Sequence, residues 1–357
     1  MMGVTAAAVV AIGMSSQALA GPVSYSFTTL DPPGSTYTIA YGINAGGEVS
    51  GWYLDSNRTG HGFLYDGSTY TTLDPLGSLR TVTYGINAGG EVVGWYQDSG
   101  TGHGFFYDGS TYTTLDPLGS IYSQALAINT GGDVAGYYQD GSGTYHGFLH
   151  DGGTYTTLDP LGSIGTIPVG INFGGDVVGY YQDGSGTSHG FLYYGSTYIT
   201  LDPLGSIYSQ ALAINAGGDV AGYYQDGSGT YHGFVYDGST YTTLDPLGSF
   251  AAIAYGINAG GDVVGYYYDG SSIWHGFLYD GSTYTTLDPL GSIGTFLYGI
   301  NTGGDVAGYY TDGSGTYHGF LAQPSRSIPE PSTLALLGFG LLGVAGMRAL
   351  RSKPVVA

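Results

Sequence analysis

The sequence predicts an all-β fold: a seven-bladed β-propeller of four-stranded antiparallel blades, closed by its own N-terminal strand, with a β-solenoid as the alternative. Three observations predict it. Asp-Pro recurs at Asp31, Asp74, Asp116, Asp159, Asp202, Asp245 and Asp288, and Ile-Asn ends at Asn44, Asn87, Asn129, Asn172, Asn215, Asn258 and Asn301, giving a period of 43 residues with one Asp-Pro step of 42. Periods of that length belong to propellers, solenoids and arrays. Each period also carries two hairpin signals, aromatic and β-branched runs around Asp-Gly (Asp66-Gly67, Asp108-Gly109) and a second turn on "NAGG" at 87–90, so four short strands are expected per period. Between residues 21 and 328 no helical spacing of apolar residues appears.

The phase of the blades follows from connection length. Turns within a blade are tight, whereas the step from an outer strand to the next inner strand crosses the sheet, and the longest link is "DPLGSIYSQ" with its equivalents. This places an inner strand over 125–129, a second over 133–139, a third over 146–150 and an outer strand over 154–158. The segment "SYSFTTLD" at 24–31 reads as an outer strand with no partners before it, while the last repeat stops after a third strand at Leu321. Joined, the two ends complete a blade and leave no open edge. Tyrosine pairs such as Tyr137 and Tyr138 put one ring on each face of a second strand, and Trp52 and Trp95 stand where Tyr137 stands elsewhere, which predicts a shared pocket between blades.

Composition bounds the function. The chain of 357 residues has no cysteine, which excludes disulfides and thiolate chemistry. It has 6 Lys+Arg against 27 Asp+Glu, a net charge of −21, and three of the six bases are Arg348, Arg351 and Lys353 at the extreme C-terminus. Such a surface repels phosphate backbones, so nucleic acid is excluded as a partner. Four segments are expected: a signal peptide over 1–20 ending in "ALA", the repeats over 21–323, a linker over 324–332, and a transmembrane sorting helix with a basic tail over 333–357. The first twenty residues contain no Lys or Arg. An ordinary buried segment or a misassigned start would also account for that.

The tail "IPEPSTLALLGFGLLGVAGMRALRSK" joins Pro329, Glu330 and Pro331 to an apolar run and a basic end. The 17 uncharged residues between Glu330 and Arg348 would rise about 25 Å as a helix, marginal for a bilayer core of ~30 Å. The basic residues after the run favour a cytoplasmic end. In its parts and their order this tail resembles the PEP-CTERM sorting signal. That resemblance implies recognition by an exosortase-type sorting enzyme, membrane contact through the helix before processing, and residence at the surface of a Gram-negative envelope or outside it. The repeat itself, "GIN..GEVVGWY......HGF.Y", is similar to the HAF repeat of probable extracellular bacterial proteins, with His-Gly-Phe in all seven copies in place of His-Ala-Phe. This resemblance covers residues 24–321 and implies an extracellular repeat architecture without supplying a reaction.

Chemistry distributed evenly around a ring is expected to be scaffold. The histidines His61, His103, His146, His189, His232, His275 and His318 begin the third strands and do not converge as zinc ligands must; each is expected to tie its strand to a loop. Loops such as "DGSGT" at 140–144 invite calcium, but each brings one acid and fits neither the EF-hand spacing nor the Gly-Gly-x-Gly-x-Asp repeat, so ordinary turns are expected, with calcium as the alternative and no cofactor assigned. Nearly every carboxylate has copies in the same setting, whereas glycoside hydrolysis needs two acids in different ones. Variation concentrates instead in the links leading into the inner strands, at 79–84, 121–126, 164–169, 207–212 and 250–255. Arg58, Arg80, Tyr122, Gln124, Tyr208 and Gln210 are therefore the candidate ligand-binding residues, with stacking faces and hydrogen bonds suited to a neutral or mildly acidic sugar chain such as an extracellular polysaccharide. The expected function is an exported, non-enzymatic structural or glycan-binding protein; the alternative is a glycan-active enzyme using the propeller mouth.

If the tail is a removable address, protein isolated from its native host ends near 329–331, and a host lacking the sorting enzyme retains the apolar run. Mass spectrometry of the C-terminus checks this, and an intact Ala357 on exported native protein overturns it.

Overall fold

The repeat unit seen in the sequence is realised as a meander of four antiparallel strands, for instance Ser120–Ile128, Val134–Asp140, Tyr145–His150 and Tyr155–Leu158. The structure, a computed structural model, describes residues 23–325, which contain 28 strands. Ser26–Gln323 make one compact unit; of the second unit, formed by the terminal segments, only 23–25 and 324–325 are described. The expected signal peptide, the Pro-Glu-Pro motif and the sorting helix lie outside the described residues. Each inner strand packs beside its neighbours in the preceding and following repeats, and Tyr37–Ile43 packs beside Ser292–Ile300, so the inner strands close around a channel.

Seven separate four-stranded blades were the expectation, and the sheet pattern corrects it. The strands are gathered into six sheets, five of four strands and one of eight. The large sheet unites Ser249–Ile257, Val263–Asp269, Trp274–Tyr279 and Tyr284–Thr286 with Ser292–Ile300, Val306–Asp312, Tyr317–Ser325 and Ser24–Leu30. Its two halves meet in a parallel pairing of Trp274 with Gly294. By register Gly294 holds the place that Tyr122 and Tyr208 hold in other repeats. Gly165 holds that place too, in a repeat whose sheet stays separate.

A second correction concerns the inner strands, which reach nine residues, as in Ser120–Ile128 and Ser206–Ile214. The link is only a β-turn closed by Ser120 N–H donating to Pro117 O, with Gly119 at φ 89°. Tyr122, Gln124, Tyr208 and Gln210 consequently lie within strands rather than in loops.

The core lies between neighbouring sheets. Val93 and Leu115 of one repeat pack with Ala125, Val134 and Phe148 of the next. The phenylalanine of every His-Gly-Phe is fully buried, from Phe63 to Phe320. Glycine in the second strand makes room for it. A β-carbon on Gly136 would overlap Gln124 O and stand 2.8 Å from Phe148 Cζ.

The N-terminal strand belongs to this core. Leu30 is fully buried beside Phe63 and Leu321, Phe27 lies 5.7 Å from Phe320, and Ser26 Oγ donates to Gln323 O at 3.4 Å. Deleting 24–31 should lower the melting temperature of the whole domain in one transition by roughly 5–15 °C, since one buried leucine alone contributes ~2–5 kcal/mol. Calorimetry checks it, and an unchanged melting temperature contradicts the assigned packing.

Candidate functional site

A bulge in each inner strand decides what lines the channel. Registers slip between Ala40 and Gly42, Ala125 and Ala127, and Ala254 and Gly256, leaving Tyr41, Leu126 and Tyr255 as the extra residues, and bulges re-aim such side chains. These residues and their equivalents line a cavity of ≈ 480 Å³. Four consecutive equivalents are tyrosines: Tyr84 and Tyr41 are 5.4 Å apart, Tyr41 and Tyr298 5.1 Å, Tyr298 and Tyr255 4.5 Å. The remainder of this ring is Leu126, Val169 and Leu212. Burial pushes the phenols of Tyr41, Tyr84, Tyr255 and Tyr298 up, so they stay protonated donors.

At the starts of the inner strands three of the predicted site residues, Arg80, Tyr122 and Gln124, come near one another around Trp95, while Tyr208 and Gln210 pair in a different repeat. Arg80, the exposed first residue of Arg80–Ile86, sets its Cζ 5.0 Å from the Trp52 ring and 5.8 Å from the Trp95 ring. The next ring, Tyr122, lies 6.3 Å from Trp95. Tyr122 and Gln124, two apart on one strand, share a face, and Gln124 Nε2 donates to the Tyr122 hydroxyl while Tyr84 OH donates to Gln124 Oε1 at 3.4 Å. Tyr208 and Gln210 repeat the arrangement in another repeat: Gln210 Nε2 donates to Tyr208 OH, and Tyr223 OH donates to Gln210 Oε1 at 2.9 Å. Gln210 and Tyr223 line a second cavity of ≈ 530 Å³ together with Tyr231, Tyr266, Trp274 and Phe296. Arg58, exposed at φ 65° in the turn before Gly60–Tyr65, makes no side-chain hydrogen bond or ion pair among the described residues. Sequence reading assigned Trp52 and Trp95 to packing and missed Tyr231, Trp274 and Phe296, although their variation between repeats was visible.

The histidines serve the scaffold. His146 Nδ1 is 2.6 Å from Asp159 Oδ2 and its Nε2 3.4 Å from Asp140 Oδ2, with its ring stacked on Tyr138 at 5.2 Å. The same arrangement holds the chain ends together, where His318 Nδ1 is 2.6 Å from Asp31 Oδ2. The loop aspartates are engaged by their own turns: Asp140 Oδ1 accepts from Ser142 N, Ser142 Oγ and Thr144 N. Among the described residues no group of three or more His, Asp or Glu is placed to hold a metal.

Residues 327–351 match the PEP-CTERM protein-sorting motif. The chain matches no curated protein. Among solved structures, the β-propeller domain of the Trilobed protease from Pyrococcus furiosus is similar with a TM-score of 0.55 at 9% identity, over 82% of this chain and 100% of that one. The BP39L lectin from Burkholderia pseudomallei is similar with a TM-score of 0.50 at 10% identity, over 80% and 95%. The six-bladed fucose-recognising lectin of Aleuria aurantia gives 0.42 at 16%, over 72% and 97%. The fold is thus that of an all-β propeller. The sorting motif marks the chain for export and sorting at the cell surface of a Gram-negative envelope, and implies recognition by an exosortase. Among the described residues no helix is long and apolar enough to cross a membrane.

The His–Asp pairs set a pH dependence. Burial pushes the imidazoliums of His146, His275 and His318 down, but the hydrogen bonds and charges of their aspartates outweigh it and raise each above its usual value. Their contribution is complete below pH 6.5, the ordinary histidine value, and is lost as pH rises through the raised one. The loop aspartates act oppositely: hydrogen bonds from their turns, with Ser142 Oγ foremost, hold Asp140 at about 2, so stability falls as pH drops from 3.8 towards 2. The melting temperature should therefore be higher at about pH 5.5 than at about pH 8.5, and changing His146, His275 and His318 to Gln should flatten that slope. A melting temperature that rises across this range contradicts the assignment.

Proposed function

We propose that this protein is a surface-associated or matrix component that binds a glycan at its aromatic mouth. The observation that carries this reading is the placement of variation. The parts of the repeat that differ most between copies are the first halves of the inner strands, and the fold brings these to one end of the channel. There they offer ring faces and side-chain amides, the groups that suit sugar C–H faces and hydroxyls. The resemblance of the repeat to HAF sequences supports an extracellular setting, and the propeller lectin from Burkholderia pseudomallei offers a distant parallel of fold.

The chemistry of the cavities supports binding without turnover. Neither the channel cavity nor its aromatic neighbour has Asp or Glu among its lining residues, so the paired carboxylates of ordinary glycoside hydrolysis have no counterpart there.

Changing Arg80, Tyr122 and Tyr208 together to Ala should abolish retention on polysaccharide from the native matrix. The fold should survive, because Arg80 is exposed and both tyrosines are half-buried, although ring contacts of about 0.5–1.5 kcal/mol each are lost. Affinity electrophoresis reads the retention, and circular dichroism reads the fold. Undiminished retention removes this face as the binding site, and release of shortened oligosaccharides by the wild type would favour an enzyme.

A further inference from the structure

Three departures from the repeat pattern, drawn from different parts of the sequence, converge on one place. The second strand carries tyrosine at this position in five repeats, from Tyr137 to Tyr309, but tryptophan at Trp52 and Trp95. The third strand begins with a larger residue elsewhere, Tyr145, Ser188, Tyr231, Trp274 or Tyr317, but with Gly60 and Gly102 in these same two repeats. The inner strand holds arginine only once, at Arg80, where register places Tyr122 and Tyr208 in their repeats.

The three changes fit together physically. A β-carbon on Gly60 would stand 2.8 Å from Arg80 Cγ and 3.2 Å from its Nε, so any larger residue would displace the arginine. A β-carbon on Gly102 would overlap Trp95 Nε1 and crowd the Tyr122 ring. The glycines thus provide the space in which the arginine and the larger indole lie. Scaffold needs alone do not ask for this arrangement, since five other repeats close without it.

We infer that Arg80, placed over Trp52 and Trp95, recognises the carboxylate of an acidic sugar, a uronic acid unit within the glycan proposed above; the inference rests on that reading. Cation–π contact engages the faces of the rings and leaves guanidinium N–H groups available. Among the described residues no carboxylate forms an ion pair with Arg80, although the chain carries 27 acids. Two indoles displace water from one side of this cation, which raises the benefit of an anion on the other. A carboxylate is planar and accepts two parallel N–H bonds from the guanidinium fork. Nearby, Tyr122 and Gln124 can meet sugar hydroxyls. The net charge of −21 disfavours densely charged polyanions and leaves chains with sparse acidic units.

Isothermal titration of the full chain with an oligogalacturonate, and with the same oligomer after reduction of its carboxyls to the neutral sugar, tests this. The wild type should bind the acidic form about tenfold or more tightly than the neutral one, as expected for charge-assisted bonds. Arg80→Gln and Gly60→Ala should each cut the preference for the acidic form to about twofold or less, with the melting temperature close to wild type. Equal binding of both oligomers, weakened by Tyr208→Ala, overturns the carboxylate site and leaves the glycan-binding mouth standing. Binding of neither at millimolar concentration overturns both, and a preference that survives in Arg80→Gln assigns the anion elsewhere and overturns this site.

Discussion

The structure depends on a belt of buried asparagines around the channel. Asn44 Oδ1 accepts from Gly46 N and Glu48 N, both at 3.0 Å, which closes its own turn. Its Nδ2 donates to Glu48 Oε2 at 2.6 Å and to Asn87 O, one repeat on, at 3.1 Å. Asn87 then donates to Asn129 O, and Asn301 returns to Asn44 O at 3.1 Å. A side chain buried to this degree, 4% exposed at Asn44, would be costly with any of these bonds unmade. One residue type therefore sets the local turn and fixes the spacing of neighbouring repeats. The step after Asn172 differs: its Nδ2 donates to Asp176 Oδ2 as its equivalents do to their own acids, but among the described residues it makes no bond to the next asparagine's carbonyl.

With that belt fixing one end of each inner strand, the other end is free to vary. The bulge in the middle separates the two regimes: beyond it lie Ile43, Ile86, Ile128 and their equivalents next to the asparagines, before it Arg80, Gln124 and Gln210. Aromatic rings fill most positions at the variable end, and a ring packs in many orientations at little cost, as the 12° stack of Phe296 on Tyr309 and the 74° edge contact of Tyr266 with Trp274 illustrate. Such a layer tolerates exchange of one residue for another without disturbing the sheet hydrogen bonds below. Repetition supplies the frame, and tolerance at one end supplies the individuality.

How much of this was legible in the sequence depended on how local each cause was. Hairpins at Asp66-Gly67 and Asn87–Gly90, the four strands of each repeat and the part of 24–31 as an outer strand are consequences of short patterns, and the pairing of His146 with a loop followed from its place at the start of a strand. The merged eight-stranded sheet was not legible, because it rests on one parallel pairing, Trp274 with Gly294, across a boundary between repeats. Nor was the full length of Ser120–Ile128: Pro-Leu-Gly-Ser completes its turn in four residues, and "IYSQ" was read as link. The partnership of Gly60 with Arg80 and of Gly102 with Trp95 joins positions seven to twenty apart and becomes visible only when neighbouring strands are laid side by side.

The acids give the strongest reason to look for function at Arg80. An excess of carboxylates invites a cation-binding reading, yet the structure gives them defined internal partners. Asp159 in a link holds His146, Asp140 in a loop accepts from its own turn, Asp133 bonds Asn129 Nδ2 at 2.8 Å, and Asp237 accepts from Ser239 and Thr240. Hydrogen bonds from these turns keep Asp237 well below the usual carboxylate range. The acidity of the chain is in this sense a by-product of building tight turns many times over. Arg80 has no such explanation: it closes no turn, pairs with no acid among the described residues, and stands in space that Gly60 provides, against two indoles. In a molecule whose repeated charges are accounted for by the frame, Arg58 and Arg80 are the bases among the described residues that it does not use, and Arg80 is the one set against two indoles.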